Sequence, residues 1–234
     1  MKYALLARTC LVLSACSDPE PDDFVSLNLE SFYFLPQEGS RFQVDSLIFD
    51  PAVGGTAKLR STTTWEFTCV DSSASAKTYT VSVVDSTGTA AAPQFWQFEN
   101  TSSGLVHLYD GISYLAIGEL AETRRDWNPL VFTDPDLIVS IAGEPVEIHK
   151  GWSAVLDSVG RYTLPNGSEI DAVWISLADS ENLLELRRVQ EVYGRGEGLL
   201  ERHLEILDTQ QTASSADWLE KAERGFALSM RRIQ

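Results

Sequence analysis

The sequence predicts a mainly β fold: an antiparallel sandwich or barrel-like domain with one short C-terminal helix. Three observations carry this. Polar and apolar residues alternate with a period of two over many stretches. Those stretches are rich in β-branched and aromatic residues and are separated by Gly-, Ser-, Asn- and Pro-bearing turns. The chain has 234 residues, 44% hydrophobic and 10% aromatic, which is ample material for a packed core.

The elements follow in chain order. Arg41 to Phe49 places Phe42, Val44 and Ile48 on one face. Thr64 to Cys69 aligns Trp65, Phe67 and Cys69. Lys77 to Val84 aligns Tyr79, Val81 and Val83, and Ile170 to Leu177 is a further apolar run. Turns are predicted at Gly54-Gly55, Asp85 to Gly88, Asn100 to Gly104 and Pro165-Asn166-Gly167. Leu183 to Tyr193 fits either an amphipathic helix or a strand. The strand is preferred because the glycine cluster Gly194 to Gly198 joins it to a run of similar length, Leu199 to Asp208, as in a hairpin. The helix is expected at Ser215 to Arg224, with Ser214 and Asp217 as a capping pair and Gly225 as its left-handed stop. Phe226 to Ile233 would be a closing strand. Ala90-Ala91-Ala92-Pro93 reads as a joint without a composition shift, so residues 25–234 are read as a single β-rich domain.

The amino terminus carries an address. A basic start, a short apolar middle and small residues before a break point make up a secretory signal, far shorter than the roughly 20 apolar residues a bilayer span needs. Its last four residues, Leu13-Ser14-Ala15-Cys16, resemble the lipobox of bacterial lipoproteins. The resemblance implies that residues 1–15 are a signal peptide, cleaved between Ala15 and Cys16, with lipid on the Cys16 sulfur and an acylated new amino terminus. A thioether needs a thiolate, which only Cys supplies. Three acyl chains at about 0.8 kcal/mol per buried methylene would make release very slow. An ordinary signal peptide that happens to meet a Cys is the alternative.

Residues 16–24 follow as an acidic tether: Ser17-Asp18-Pro19-Glu20-Pro21-Asp22-Asp23 is stiffened by proline and solvated by four acids. An acidic run behind the lipidated Cys resembles the surface-export signal of Bacteroidota lipoproteins. That likeness implies a cell-envelope location, lipid-anchored at the outer membrane and surface-exposed. The segments Glu191 to Arg202, Leu207 to Gln210 and Gly225 to Leu228 are similar to the tail of uncharacterised β-rich Bacteroidota lipoproteins, implying location and fold type but no chemistry.

With 34 acids against 18 bases the net charge is −16, which repels phosphate backbones and excludes nucleic acid as a natural partner. Of three cysteines, Cys10 leaves with the signal and Cys16 takes lipid. Cys69 then remains as a small buried hydrophobe, or as a partner for Cys16 if no lipid is added. No catalytic, metal or cofactor site stands out. Gly151-Trp152-Ser153-Ala154-Val155 has half of a nucleophile elbow, but Val155 stands where a small residue is needed. His107, His149 and His203 are scattered, and Glu147 with His149 supplies two ligands where zinc needs more. Asp134-Pro135-Asp136 reads as a turn, not a calcium loop, and Gly194 to Gly198 as a hairpin, not a nucleotide loop. The six Trp (65, 96, 127, 152, 174 and 218) are expected mostly in the core. Asp45-Ser46-Leu47, Asp85-Ser86-Thr87 and Asp157-Ser158-Val159 resemble an O-glycosylation sequon of Bacteroidota exported proteins. The functional expectation is a membrane-anchored, non-enzymatic envelope module that binds a protein or glycan partner. The alternatives are a carrier of an apolar ligand in a β-barrel-like cavity and a glycan hydrolase using paired carboxylates.

Overall fold

The computed structural model describes residues 27–50, 57–109, 112–123, 125–212 and 215–234, with 57–59 as backbone alone. The expected signal, Cys16, the tether, Gly54-Gly55 and Ser214 lie outside the described residues. Thirteen strands are described: β1 (Ser40–Asp50), β2 (Ala57–Ser72), β3 (Ala76–Asp85), β4 (Gln94–Thr101), β5 (Gly104–Tyr109), β6 (Ile112–Gly118), β7 (Ile138–Ile141), β8 (Glu144–Glu147), β9 (Trp152–Thr163), β10 (Glu169–Glu181), β11 (Glu185–Gly194), β12 (Gly198–Asp208) and β13 (Arg224–Arg232). A single α-helical turn, α1, spans Trp218–Lys221.

Eleven strands form one sheet in the order β6-β5-β4-β3-β2-β1-β13-β12-β11-β10-β9, with every described pair antiparallel. Strand residues make up 62% of the structure and the sheet is nearly closed into a barrel. The chain reaches this order by meandering from β1 to β6, crossing to β9, and meandering back to β13, which zips onto β1. Residues far apart in sequence therefore share one interior.

The seam between β6 and β9 is closed by a short strap. Trp127 exchanges both backbone hydrogen bonds with Ala154 of β9, at 2.9 and 3.0 Å. On the other side Leu115 N–H of β6 donates to the Pro129 carbonyl at 2.8 Å, and Trp127 Nε1–H donates to the Leu115 carbonyl at 3.1 Å. Gly118 is required beneath this indole, because a Cβ there would lie 2.7 Å from the ring. The strap gives two otherwise open edges a partner.

Both mouths are capped. A 3₁₀ turn at Leu29–Phe32 buries Leu29, Phe32 and Leu35 at one mouth, where Tyr79 OH donates to the Leu35 carbonyl at 2.9 Å. The glycine cluster receives this plug: Gly196 N–H donates to the Ser31 carbonyl, and Gly198 adopts φ +66° with the Leu35 backbone directly against it. At the other mouth the β7–β8 hairpin reaches β13 and buries Val146. Its two-residue turn holds Ala142 at φ 52° and Gly143 at φ 87°, the left-handed pair that a tight hairpin demands.

Between the caps the interior is filled. Phe42, Phe67, Tyr79, Trp96 and Phe98 pack edge to face or tilted at centroid distances of 5.2–6.3 Å. Two smaller clusters lie apart from this core. Leu47, Phe49, Leu186 and Leu207 pack under Trp218 and Ala222, and Leu164, Ala172, Val192 and Leu200 form the other.

Several expectations need correction. β1 keeps its alternation, but Phe42 and Val44 alone of the expected trio are buried; Leu47 and Phe49, on the opposite face, are covered by α1. The expected ten-residue helix shrinks to one turn. Asp217 is its N-cap, accepting from Leu219 N–H at 2.9 Å, and Ala222 is already extended. Gly225 stops no helix: it lies within β13, at φ +105°, hard against the Ile206 carbonyl. The strand pair chosen for Leu183 to Asp208 is found as β11 and β12, and the closing strand as β13.

Candidate functional site

The sequence singled out no catalytic residue, yet the barrel assembles a polar cluster at its centre. Glu191 and Tyr193 sit two apart on the inward face of β11. Their neighbours are His107 on β5, Tyr114 on β6 and Arg202 on β12. None of these is more than 3% exposed. Tyr114 OH donates to Glu191 Oε1 at 2.5 Å, and Tyr193 OH donates to Oε2 at 2.5 Å. The imidazole of His107 spans the two phenols, with Nδ1 at 2.8 Å from Tyr114 OH and Nε2 at 3.1 Å from Tyr193 OH. Arg202 Nε lies 3.2 Å from Glu191 Oε1, and Nη2 donates to Tyr109 OH at 3.1 Å.

Electrostatics explain the composition. A carboxylate out of water needs a counter-charge and several donors, and Glu191 has Arg202 and two phenols. The guanidinium is caged by aromatic faces, lying 5.0 Å from the Tyr109 centroid, 5.4 Å from Tyr114 and 5.7 Å from Trp96. Burial, with the charge of Arg202 added to it, pushes the His107 pKa well below the ordinary imidazole value. Burial above all, with Glu191 beside it, pushes Tyr193 up, and burial likewise raises Tyr114. A second buried pair closes the lower end of the same face: Arg187 Nη1 lies 2.7 Å from Asp208 Oδ1, and Arg224 Nε 2.9 Å from Oδ2.

Solvent meets a different surface. A groove of about 950 Å³ crosses β2, β1, β13, β12, β11, β10 and β9 on the other face of the sheet. It is lined by hydroxyls and charges, among them Asp45, Arg60, Asp157, Gln190, His203 and Ser229. Arg188 in this groove is engaged by Glu205 at 2.8 Å, and Asp45 accepts from Thr62 and Gln43, which hold its carboxyl below the usual range.

The structure places the other candidates as follows. Ser153 lies inside β9 and in the groove, with no strand-to-helix elbow around it. His149 is buried against Trp152, and Glu147 turns to Lys150 at 3.5 Å, so the two do not act as a pair. Asp136 N–H closes onto Asp134 Oδ1, a turn as expected. Cys69 is half-buried on β2, its thiol directed at the Asp71 carbonyl. All six Trp are buried or half-buried. Ser46 of the first sequon-like triplet is bonded to Ser61, and Asp85 of the second organises its own turn. Among the described residues, no group of three or more His, Cys, Asp and Glu could hold a metal ion, and no helix is long and apolar enough to cross a membrane.

No protein-family model matches the chain, and no curated protein matches it. Two solved structures share a distant likeness. One is a Bacteroides fragilis protein assigned as exported and as having a YmcC-like fold, with a TM-score of 0.35. The other is a Parabacteroides distasonis protein assigned as a lipoprotein, with a TM-score of 0.34. Each is 11% identical over 87% of this chain and 98% of its own. Likeness this distant says nothing of ligand or activity here.

Proposed function

We propose that this chain is an envelope lipoprotein, anchored through Cys16 at the outer membrane and exposed at the surface, that works by binding and not by catalysis. Two features support the reading. In sequence, the lipobox Leu13-Ser14-Ala15-Cys16 is followed by an acidic, proline-stiffened tether. In structure, the titratable cluster is sealed inside while the polar groove faces solvent. The sealing is the observation that carries it. Groups that no substrate can touch serve the fold, and recognition falls to the outer groove.

The filled interior also weighs against the carrier reading. An apolar ligand needs a cavity, and here the barrel centre is occupied by ring stacks and the ion-paired cluster. The partner expected for the groove is an envelope protein or glycan, with nucleic acid repelled by the net charge of −16.

Intact mass and membrane fractionation of wild type and Cys16→Ala test the anchor. Added lipid mass and a sedimenting wild type, with Cys16→Ala soluble, are expected. A wild type without lipid mass that washes off membranes overturns it. For the groove, Asp157→Arg should alter NMR shift perturbations by an oligosaccharide panel or a basic peptide; no perturbation of groove residues by either removes the binding surface.

A further inference from the structure

The buried cluster contains a closed ring whose proton count is uneven. Its four edges run from Glu191 to Tyr114, Tyr114 to His107, His107 to Tyr193 and Tyr193 back to Glu191. Each edge needs one proton to be a hydrogen bond. The two phenols supply one each and a neutral imidazole supplies one, while a carboxylate ion-paired with Arg202 supplies none. Three protons serve four edges.

The distances say which edge goes without. Two oxygens at 2.5 Å must share a proton, since facing lone pairs do not approach so closely. Both Glu191 edges are of this length, so both phenolic protons point at the carboxylate. The imidazole proton then belongs on the shorter of its two edges, Nδ1 to Tyr114 at 2.8 Å. The longest edge, Nε2 to Tyr193 at 3.1 Å, brings two lone pairs together.

We infer that this ring is a buried acceptor site for one proton: Nε2 of His107 is held unprotonated against the Tyr193 oxygen at neutral pH, and acid closes the fourth edge. The closed ring would clasp β5 and β6, which bring His107 and Tyr114, to β11, which brings Glu191 and Tyr193. Every charged or titratable neighbour bears on the uptake. Arg202 of β12 opposes a second cation, and Glu191 favours it. Tyr109 of β5 is turned to Arg202, and His149 lies beyond Trp152, whose ring is 5.6 Å from Tyr114. Burial and Arg202 together place the uptake below the ordinary imidazole range. The inference stands apart from the lipid anchor and the outer groove.

Nitrogen-15 NMR of histidine-labelled, folded wild-type protein reads the ring directly. The expected spectrum at pH 7 is a neutral imidazole protonated at Nδ1, converting to imidazolium in one step well below pH 6.5. An imidazolium at neutral pH, or an Nε2–H tautomer, overturns the assignment. The tyrosines give a second reading. Tyr114→Phe removes the acceptor of a buried N–H, whereas Tyr193→Phe removes an oxygen that faces a lone pair. Tyr114→Phe should therefore lower the denaturation midpoint at pH 7 further than Tyr193→Phe. Equal falls, as a ring with four protons predicts, or a larger fall for Tyr193→Phe, would overturn it. If Tyr114→Phe does not fold, the wild-type tautomer decides.

Discussion

Replacing Arg202 by Met keeps the unbranched apolar stem of the side chain and removes its charge. Glu191, 0% exposed, is then left with two phenolic donors and no counter-ion. Removing one partner of a buried ion pair costs about 3–5 kcal/mol, because the remaining charge is uncompensated. Loss of the aromatic cage around the guanidinium adds to this. For a domain of this size each kcal/mol moves Tm by about 2–4 °C, so a fall of roughly 6–20 °C is expected. Thermal denaturation followed by circular dichroism at pH 7 measures it. A cost below about 1 kcal/mol at pH 7 refutes the idea that Arg202 is the counter-ion of Glu191.

Other expectations follow from the same structure. Gly198→Ala should destabilise by about 2 kcal/mol or more by thermal melting, because its Cβ would lie 2.5 Å from Leu35 N and φ is +66°. Gly167→Ala, with φ +84° but nothing within 4 Å, should cost only the backbone term of about 1–2 kcal/mol. Trp127→Phe removes the donor to the Leu115 carbonyl; it should cost about 0.5–1.5 kcal/mol and speed hydrogen exchange at the Leu115 and Ala154 amides above that of β12. Ala142→Gly relieves a left-handed alanine and should raise Tm slightly. Acid should destabilise the wild type in two stages. His107 is held below its unfolded value of 6.5, so the unfolded chain binds the extra proton first and stability falls as pH drops below about 6.5. Glu201, held down chiefly by its bond with His203, contributes stability above its unfolded 4.5 that is lost as pH falls through its lower folded value. A urea midpoint flat from about pH 7 to 5 would contradict the first, and one flat from about pH 5 to 3 the second.

Period-two patterning marked the first half of β1 and β3, where residues of one face are buried and those of the other are more exposed, a local property that alternation records, while β10 was marked by its apolar run. Turn chemistry marked the β9–β10 and β11–β12 connections for the same reason: left-handed backbone at Gly167 and Gly196 is a requirement of the residue itself. The expected helix is too long because Gly225 reads as its left-handed stop, whereas that left-handed glycine serves β13, and α1, capped by Asp217, lies over Leu47, Phe49 and Leu207 with a single turn. The β7–β8 hairpin left little signal, since its turn uses alanine where glycine or asparagine would announce it.

The central cluster was illegible for a different reason. His107 and Glu191 read as ordinary polar residues, and Tyr114 lies 77 positions from the carboxylate that accepts its proton. Alternation did place Glu191 and Tyr193 on one face, and a carboxylate in register with apolar neighbours is the one trace available.

The chain's own letters determined that it folds into antiparallel strands, where most of the turns fall, and that its composition disfavours phosphate-rich partners. Each of these depends on residues near one another or on a sum over all of them. Only the closure of the sheet decided which polar side chains became interior, because β13 pairing with β1 and the Trp127 strap bring β5, β6, β11 and β12 around one centre. Burial there turns a histidine, a glutamate, an arginine and two tyrosines into a single electrostatic unit, since low polarity makes each charge depend on its immediate neighbours.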